Sequence, residues 1–372
     1  TNNQLLITAP DHRLDIGTGV IGQADLIEEI ARVYGYENIP ETQISDRTPP
    51  QRGNRSLELE ERVRDILVNV GLQEVITYRL TAPEREALLL PPGTPKDDRP
   101  YVTLANPIVA DRVNMRHSVL ASVLEAAVNN LRFTDRVAVF EVGAVYLASE
   151  EGVLPDEPRR LAVVMTGPRQ PEGWQASDRE AMDFYDLKGV VEALLTGLHL
   201  QETKLEPAEH PSFRPGRTAQ LTVDGKAVGW FGELHPLVAQ AYLNASGGAA
   251  GAPLLAADFD LELILASVSE RFITRPVSRF PAVVEDIALI VDEGVAASQV
   301  EAVIRQSGGS TLVDVRLFDL YKGAQIGSGK KSLAYRLTYQ AEDRTLTDAE
   351  AAKVREKIVR RAKEVLGAVL RG

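Results

Sequence analysis

Cysteine is missing from all 372 residues. No disulfide and no thiolate metal site can form, and a reducing compartment is compatible with the chain. No apolar run approaches the roughly 18–20 residues that a membrane-crossing helix needs. The first residues do not read as a secretory leader, and none is expected. The chain opens at Thr1 in the middle of a pattern, which reads as a fragment or a processed product. The five histidines (His12, His117, His199, His210 and His235) are scattered with no paired ligand spacing, which argues against a zinc site. Nor does any serine–histidine–aspartate set stand out, or a glycine-rich nucleotide loop with a partner acid. The middle of the chain reads as catalytically empty.

What is present is the composition of a soluble globular protein, 44 % hydrophobic and 25 % charged, long enough for two or three domains. The formal charge is −12, unevenly spread: residues 277–372 carry 15 Lys and Arg against 13 Asp and Glu, or +2, which leaves −14 on the rest. The chain as a whole is therefore no general nucleic-acid binder, but its last part can meet phosphates.

Periodicity and turn residues divide the chain. Asp25–Tyr34 reads as a helix with an apolar stripe of Leu26, Ile27, Ile30, Val33 and Tyr34, ended by Gly35. Pro40–Asn54, rich in Pro, Thr, Ser and Arg, is a linker. Helices are expected at Leu57–Val70, Ser118–Leu131 and Phe184–Leu198. Strands are expected at Glu74–Leu80, Val102–Leu104, Arg136–Leu147, Arg160–Thr166, Thr218–Val223, Val228–Glu233 and Leu254–Leu265. Asp224-Gly225 marks a hairpin turn. Glu84–Pro100 and Asn244–Pro253 read as loops, and Ser267–Pro276 as a second linker. Residues 46–275 thus form an α+β domain with an antiparallel sheet and helices on it.

The last hundred residues follow strand, helix, strand, strand, helix, short strand. The expected elements are Val283–Val291, Ser298–Gln306, Leu312–Leu320, Lys331–Gln340 and Asp348–Leu366, with a possible edge strand after Ala368. That order is the ferredoxin-like βαββαβ arrangement. Thr347 with Glu350, and Ser298 with Glu301, read as capping boxes. The last helix carries Lys353, Arg355, Lys357, Arg360, Arg361 and Lys363. Arg279, Lys322, Lys330, Lys331 and Arg336 add basic charge from the neighbouring segments, and Phe280 or Tyr321 can stack a base. The alternative is an ordinary solvated face with cations at a helix C-terminus. Gly327–Ser332 (GSGKKS) fails as a phosphate loop: Ala324 stands where the first glycine belongs, and a strand follows instead of a helix.

Two further groups carry chemistry. Asp25, Glu28 and Glu29 share one helical face at i, i+3 and i+4, and Asp15 arrives from the preceding loop. Four carboxylates suit a hard cation. They equally suit an acidic first turn that complements the helix dipole, with a Glu28–Arg32 pair, and spacing alone favours this second reading. Arg116 and Glu141 are either a site or a structural ion pair.

Several long segments carry a family resemblance: DLIEEIARVYGYENIP (Asp25–Pro40), MRHSVLASVLEAAVNNL (Met115–Leu131), VAVFEVGAVY (Val137–Tyr146), WFGELHP (Trp230–Pro236), SRFPAVVEDIALIV (Ser278–Val291), FDLYKG (Phe318–Gly323), KKSLAYRLTYQ (Lys330–Gln340) and DRTLTDAE (Asp343–Glu350). Through them the chain resembles the C-terminal half of the β subunit of bacterial phenylalanine–tRNA ligase. The resemblance implies an α2β2 enzyme whose α subunit joins phenylalanine to tRNA(Phe) through an aminoacyl-adenylate, using ATP and Mg²⁺ in the cytoplasm. It implies a core with the class II aminoacyl-tRNA synthetase fold but no active site. Leu147 and Ala148 stand where a working site would place an arginine for ATP phosphates. Residues 1–45 would end a small metal-associated domain, 46–275 would be the catalytic-core-like domain, and 276–372 a ferredoxin-fold anticodon-binding domain. Asp15, Asp25, Glu28 and Glu29 match the family's Mg²⁺ ligands near the α subunit, although Ile16–Ala24 is longer than the usual spacing. The tRNA contacts would come from Arg279, Phe280, Lys322, Lys330, Lys331, Arg336, Lys353, Lys357, Arg360 and Arg361, assigned on charge and position. An upstream tRNA-binding domain and an editing domain would be absent. No ligase activity is then expected from the chain alone. The rival reading is a stand-alone interaction or regulatory scaffold derived from the same subunit.

Overall fold

The computed structural model describes residues 5–371 except 44, 46, 47, 49, 51, 150–153, 176, 177, 248–250, 272, 273, 275 and 276. Parts of the two expected linkers and of the loop 244–253 therefore lie outside the described residues. The chain forms two compact units, Thr1–Val268 and Ser269–Gly372.

The first unit runs α1 (Gly19–Tyr34), α2 (Arg55–Asn69), β1 (Gln73–Glu74), β2 (Leu80–Thr81), α3 (Pro83–Glu86), β3 (Asn114–Met115), α4 (Val119–Asn130), β4 (Val137–Ala144) and β5 (Arg159–Thr166). It continues with α5 (Phe184–Gly197), β6 (Thr203–Pro207), β7 (Phe213–Val223), β8 (Lys226–Leu234), α6 (Pro236–Ser246), β9 (Leu255–Asp260) and α7 (Leu261–Ala266). Seven strands pair in the order β1-β4-β5-β9-β8-β7-β6, and all neighbours are antiparallel except β1 beside β4.

Both faces of this sheet are covered, so its central strands read as near-continuous apolar runs rather than alternating ones. On one face Phe140, Leu161, Val163, Phe231 and Phe259 pack against α2, α5 and α7. On the other, Val139, Ala162, Val164 and Ala256 pack against α4 and α6. Ser118 caps α4 by accepting the Ala121 N–H, and Asp183 with Asp186 forms a capping box on α5.

The departures from expectation have local causes. The expected strand Leu254–Leu265 stops at Asp260, whose carboxylate accepts the Leu263 N–H at 3.1 Å and starts α7. The expected strand Glu74–Leu80 pairs only near its two ends, because Thr77 turns inward to Glu141. Pro83 at the first helical position begins α3 inside the expected loop. Of Val102–Leu104, Thr103 makes one bridge, to Asn114. α1 starts at Gly19, well before Asp25, and its apolar stripe is exposed: Ile27, Ile30 and Val33 are each more than 60 % accessible.

The second unit runs β10 (Val283–Asp292), α8 (Ala297–Gly308), β11 (Leu312–Tyr321), β12 (Lys330–Tyr339), α9 (Asp348–Leu366) and β13 (Val369–Leu370). The sheet order is β11-β12-β10-β13, antiparallel throughout. Ile287, Leu289, Leu333, Tyr335 and Leu337 are buried against Val300 and Ile304 of α8 and Ile358 and Ala362 of α9. Successive strand residues face opposite sides, so Asp286, Ala334 and Arg336 lie on the other face. The Thr347–Glu350 box is present. Ser298 does not cap α8: the helix begins at Ala297, and Gln299 Oε1 accepts the Ala296 N–H at 3.0 Å. No helix among the described residues is long and apolar enough to cross a membrane.

Candidate functional site

The four acidic candidates sit around α1. Because the helix starts at Gly19, Asp25, Glu28 and Glu29 lie inside it rather than in its first turn, and no acid occupies that turn. The Arg13 guanidinium bridges from the loop to the helix, with Nη2 2.6 Å from Asp15 Oδ2 and 2.9 Å from Glu29 Oε1. Arg13 thereby holds the Asp15 carboxyl down to about 2. Glu29 is also lowered, first by Arg32 and then by Arg13. The helical pair is thus Glu29–Arg32 at i, i+3, not the expected Glu28–Arg32. Asp25 Oδ2 accepts the Gly17 N–H at 2.7 Å, and Glu28 is exposed. No three His, Cys, Asp or Glu among the described residues converge as a cation cage. An arginine already occupies the space between two of the four carboxylates, so the set as arranged does not fit a metal ion.

The basic candidates of the second unit fall into four places. Lys322, Lys330 and Lys331 stand at one end of the sheet, where Lys330 faces Asp292 across the ladder and Lys322 pairs with Glu293. Arg279, exposed, and Phe280, half-buried, precede β10 near the opposite end, and the Phe280 carbonyl accepts from Gln340 at 2.7 Å. Arg336 lies on the face away from the helices. It binds Asp286 through two 2.9 Å bonds and sits 5.3 Å above the Phe318 ring. Lys353, Lys357, Arg360 and Arg361 are exposed on α9, whose buried side is Ala351, Ile358 and Ala362. Arg361 meets Glu364 at 3.3 Å, while Lys353, Lys357 and Arg360 have no ion pair among the described residues. The helix cations and Arg336 thus lie on opposite sides of the unit.

Sequence reasoning overlooked Arg316 and Phe318. Arg316 is the direct cross-strand partner of Arg336, so two guanidiniums and an aromatic ring share the open face. Alternation along β11 carries that signal, but a bulge between Leu317 and Asp319 shifts its phase.

Arg116 and Glu141 resolve as structure. Arg116 is 1 % exposed. Its Nη2 donates to Glu141 Oε1 at 2.9 Å, its Nη1 to Thr77 Oγ1 at 2.9 Å, and its Nε to the Ala144 carbonyl at 3.0 Å. Thr77 in turn donates to Glu141 Oε2. A closed network of this kind leaves no polar edge for a substrate.

Residues 39–245 match the family model for the phenylalanyl tRNA synthetase beta chain CLM domain. Residues 278–371 match that for the ferredoxin-fold anticodon binding domain. Phenylalanine–tRNA ligase beta subunits are similar along the whole chain. The protein from Symbiobacterium thermophilum is 41 % identical over 99 % of this chain and 40 % of its own length. The one from Geobacillus kaustophilus is 38 % identical over 100 % of this chain and 44 % of its own. That from Clostridium tetani is 38 % identical over 99 % and 44 %. The chain therefore spans less than half the length of these curated relatives.

Proposed function

The chain belongs to the family of the phenylalanyl tRNA synthetase beta chain CLM domain, and from that premise we propose that it is a non-catalytic part of a phenylalanine–tRNA ligase β subunit. It supports ATP-dependent attachment of phenylalanine to tRNA(Phe) by holding the α subunit and touching the anticodon region. The observation that carries this reading is the succession of the two family domains along one chain, 39–245 and then 278–371. In this reading residues 1–45 end the metal-associated domain, 46–275 form an inactive class II synthetase-like core, and 276–372 are the anticodon-binding domain. A mixed sheet with helices on both faces and the closed Arg116–Glu141 network support a core without an active site.

The α subunit has a surface suited to it. β1 is an edge strand of the large sheet, and just beyond it Ile76 and Tyr78 are 93 % and 78 % exposed. Large apolar side chains side by side on a surface mark a protein contact. The α9 cations and the Arg316–Arg336–Phe318 face are two separate candidate contacts for tRNA; phosphates suit the first, and stacked bases the second. Asp15 and Glu29 are engaged by the Arg13 guanidinium rather than open to Mg²⁺.

Co-expression with the cognate α subunit tests the proposal. The expected result is co-purification, lost in the Ile76→Asp, Tyr78→Asp double variant. Failure of the unmutated chain to co-purify would favour the free-standing scaffold. The chain alone should form no phenylalanyl-adenylate in pyrophosphate exchange.

A further inference from the structure

The first unit contains a cavity of about 430 Å³ that none of the roles above uses. It opens on the α4 and α6 side of the large sheet. A row across three central strands explains why space exists there: Trp230 of β8 pairs with Asp258 of β9, which pairs with Ala162 of β5. Asp258 and Trp230 line the cavity, and the small Ala162 beside them leaves room that a larger side chain would fill.

The charges at this cavity do not cancel. Arg160 lines it and makes an ion pair with Asp260 at 3.5 Å. The same guanidinium also acts on Asp258 through space, while burial pushes the Asp258 carboxyl up. Over the whole lining, the four acids Glu84, Glu86, Asp97 and Asp258 face the three bases Lys96, Arg99 and Arg160, a formal excess of one negative charge. Asp258 itself has no side-chain hydrogen bond among the described residues. Glu84 and Lys96, of opposite sign, are exposed, and the remaining charged groups are occupied. Arg99 binds Asp97 through bonds of 2.6 to 3.1 Å. The Glu86 carboxylate accepts from the Tyr101 hydroxyl at 2.8 Å and from the His117 and Ser118 N–H groups at 3.0 and 3.2 Å.

The walls are aromatic. The Tyr101 ring is stacked flat on His117 at 3.9 Å, and the His210 ring lies 4.7 Å from that of Trp230. His117 Nδ1 contacts Asp97 at 3.2 Å, and its buried Nε2 has no partner. With the proton on Nδ1, that Nε2 is an acceptor. The polar groups left over are therefore acceptors beside π faces. An inorganic cation is poorly served, because no three His, Cys, Asp or Glu side chains converge among the described residues. An anion would meet the excess negative charge.

We infer that this cavity binds a small organic ammonium ion, a protonated primary amine on an apolar or aromatic body, with Asp258 as its counter-ion and Trp230 as its wall. Desolvated ammonium groups are attracted both to a buried carboxylate and to an indole face. The inference stands apart from the subunit role: it would survive loss of α-subunit binding, and its failure would leave that role untouched.

The test uses the full chain carrying Trp174→Phe. Trp174 is 93 % exposed, and with two tryptophans in the chain its removal leaves Trp230 as the reporter. Phenethylamine, 2-phenylethanol and 3-phenylpropionate are titrated in turn against Trp230 fluorescence. The expected result is saturation by the amine below ~10 mM, as suits a fragment-sized ligand, with the alcohol and the carboxylate at least about tenfold weaker. Asp258→Asn should weaken the amine by a similar factor. Equal affinity for amine and alcohol, preference for the carboxylate, or no saturation by the amine would each overturn the proposal. The comparison of the three probes needs no change at Asp258, so it stands even where Asp258→Asn fails to fold.

Discussion

Arg116 is the largest of the fully buried side chains among the described residues, and its ion pair with Glu141 is almost sealed from water. Removing one partner of such a pair leaves a charge that neither water nor protein satisfies. Glu141→Ala should therefore destabilise the first unit by roughly 3–5 kcal/mol in urea denaturation. Gly143→Ala should disturb the same network, since a Cβ there would lie 2.3 Å from Arg116 Nη2 and 2.9 Å from Glu141 Oε1. Arg13 offers a contrasting case at the surface. In Arg13→Ala the Asp15 carboxyl should return from about 2 toward its ordinary 3.8, as read by carboxyl-carbon NMR across pH. The sign follows from the lost bond: without the guanidinium the charged form is no longer favoured. The acidic residues themselves were legible in the sequence as a helical cluster. That arginines neutralise Asp15 and Glu29 was not, because Arg13 meets Glu29 across 16 residues of chain and only the fold fixes that meeting.

α9 shows how local chemistry can define an element to its ends. Thr347, Glu350 and the left-handed Gly367 mark its boundaries, and the span expected from the sequence, Asp348–Leu366, is the one observed. Thr347→Ala should cost the second unit about 1 kcal/mol in thermal unfolding. Glu350 is lowered from 4.5 to about 2, first by the Thr347 N–H and then by Arg344. A lowered carboxyl stabilises the fold above its unfolded pKa and ceases to do so as pH falls through its folded one. The unfolding temperature of the second unit should therefore drop between pH 4.5 and 2, and drop less in Glu350→Gln. α7 shows the opposite case. From Leu254 to Leu265 no glycine or proline marks a boundary among the apolar residues and the three acids Asp258, Asp260 and Glu262, and only the Asp260 side chain turning onto Leu263 splits the segment into strand and helix. β11 is similar: Phe318 shares the open face with Arg316 two residues before it, and the bulge between Leu317 and Asp319 shifts the alternation only beyond it.

Across the whole molecule, charge is partitioned between the two units. The chain carries −12 in total while residues 277–372 carry +2, so a polyanion is repelled by most of the protein and met by one part. On the proposed function, affinity of the full chain for tRNA(Phe) should fall steeply with salt. If about four cations reach phosphates, the log–log slope is near −3. Reversing Lys353, Lys357 and Arg360 to Glu should flatten that slope. Arg316→Ala with Arg336→Ala should weaken binding with a smaller change in slope if that face reads bases. The kind and order of most long elements and the family itself can be read along the chain, since caps, turns and periodicity act between near neighbours. Which charges stand free, which face of the small sheet stays open, and the recess beside Asp258 belong to the folded molecule. Each depends on groups brought together from distant segments, and pairing at such range is set by strand register and packing, to which no short stretch of residues has access.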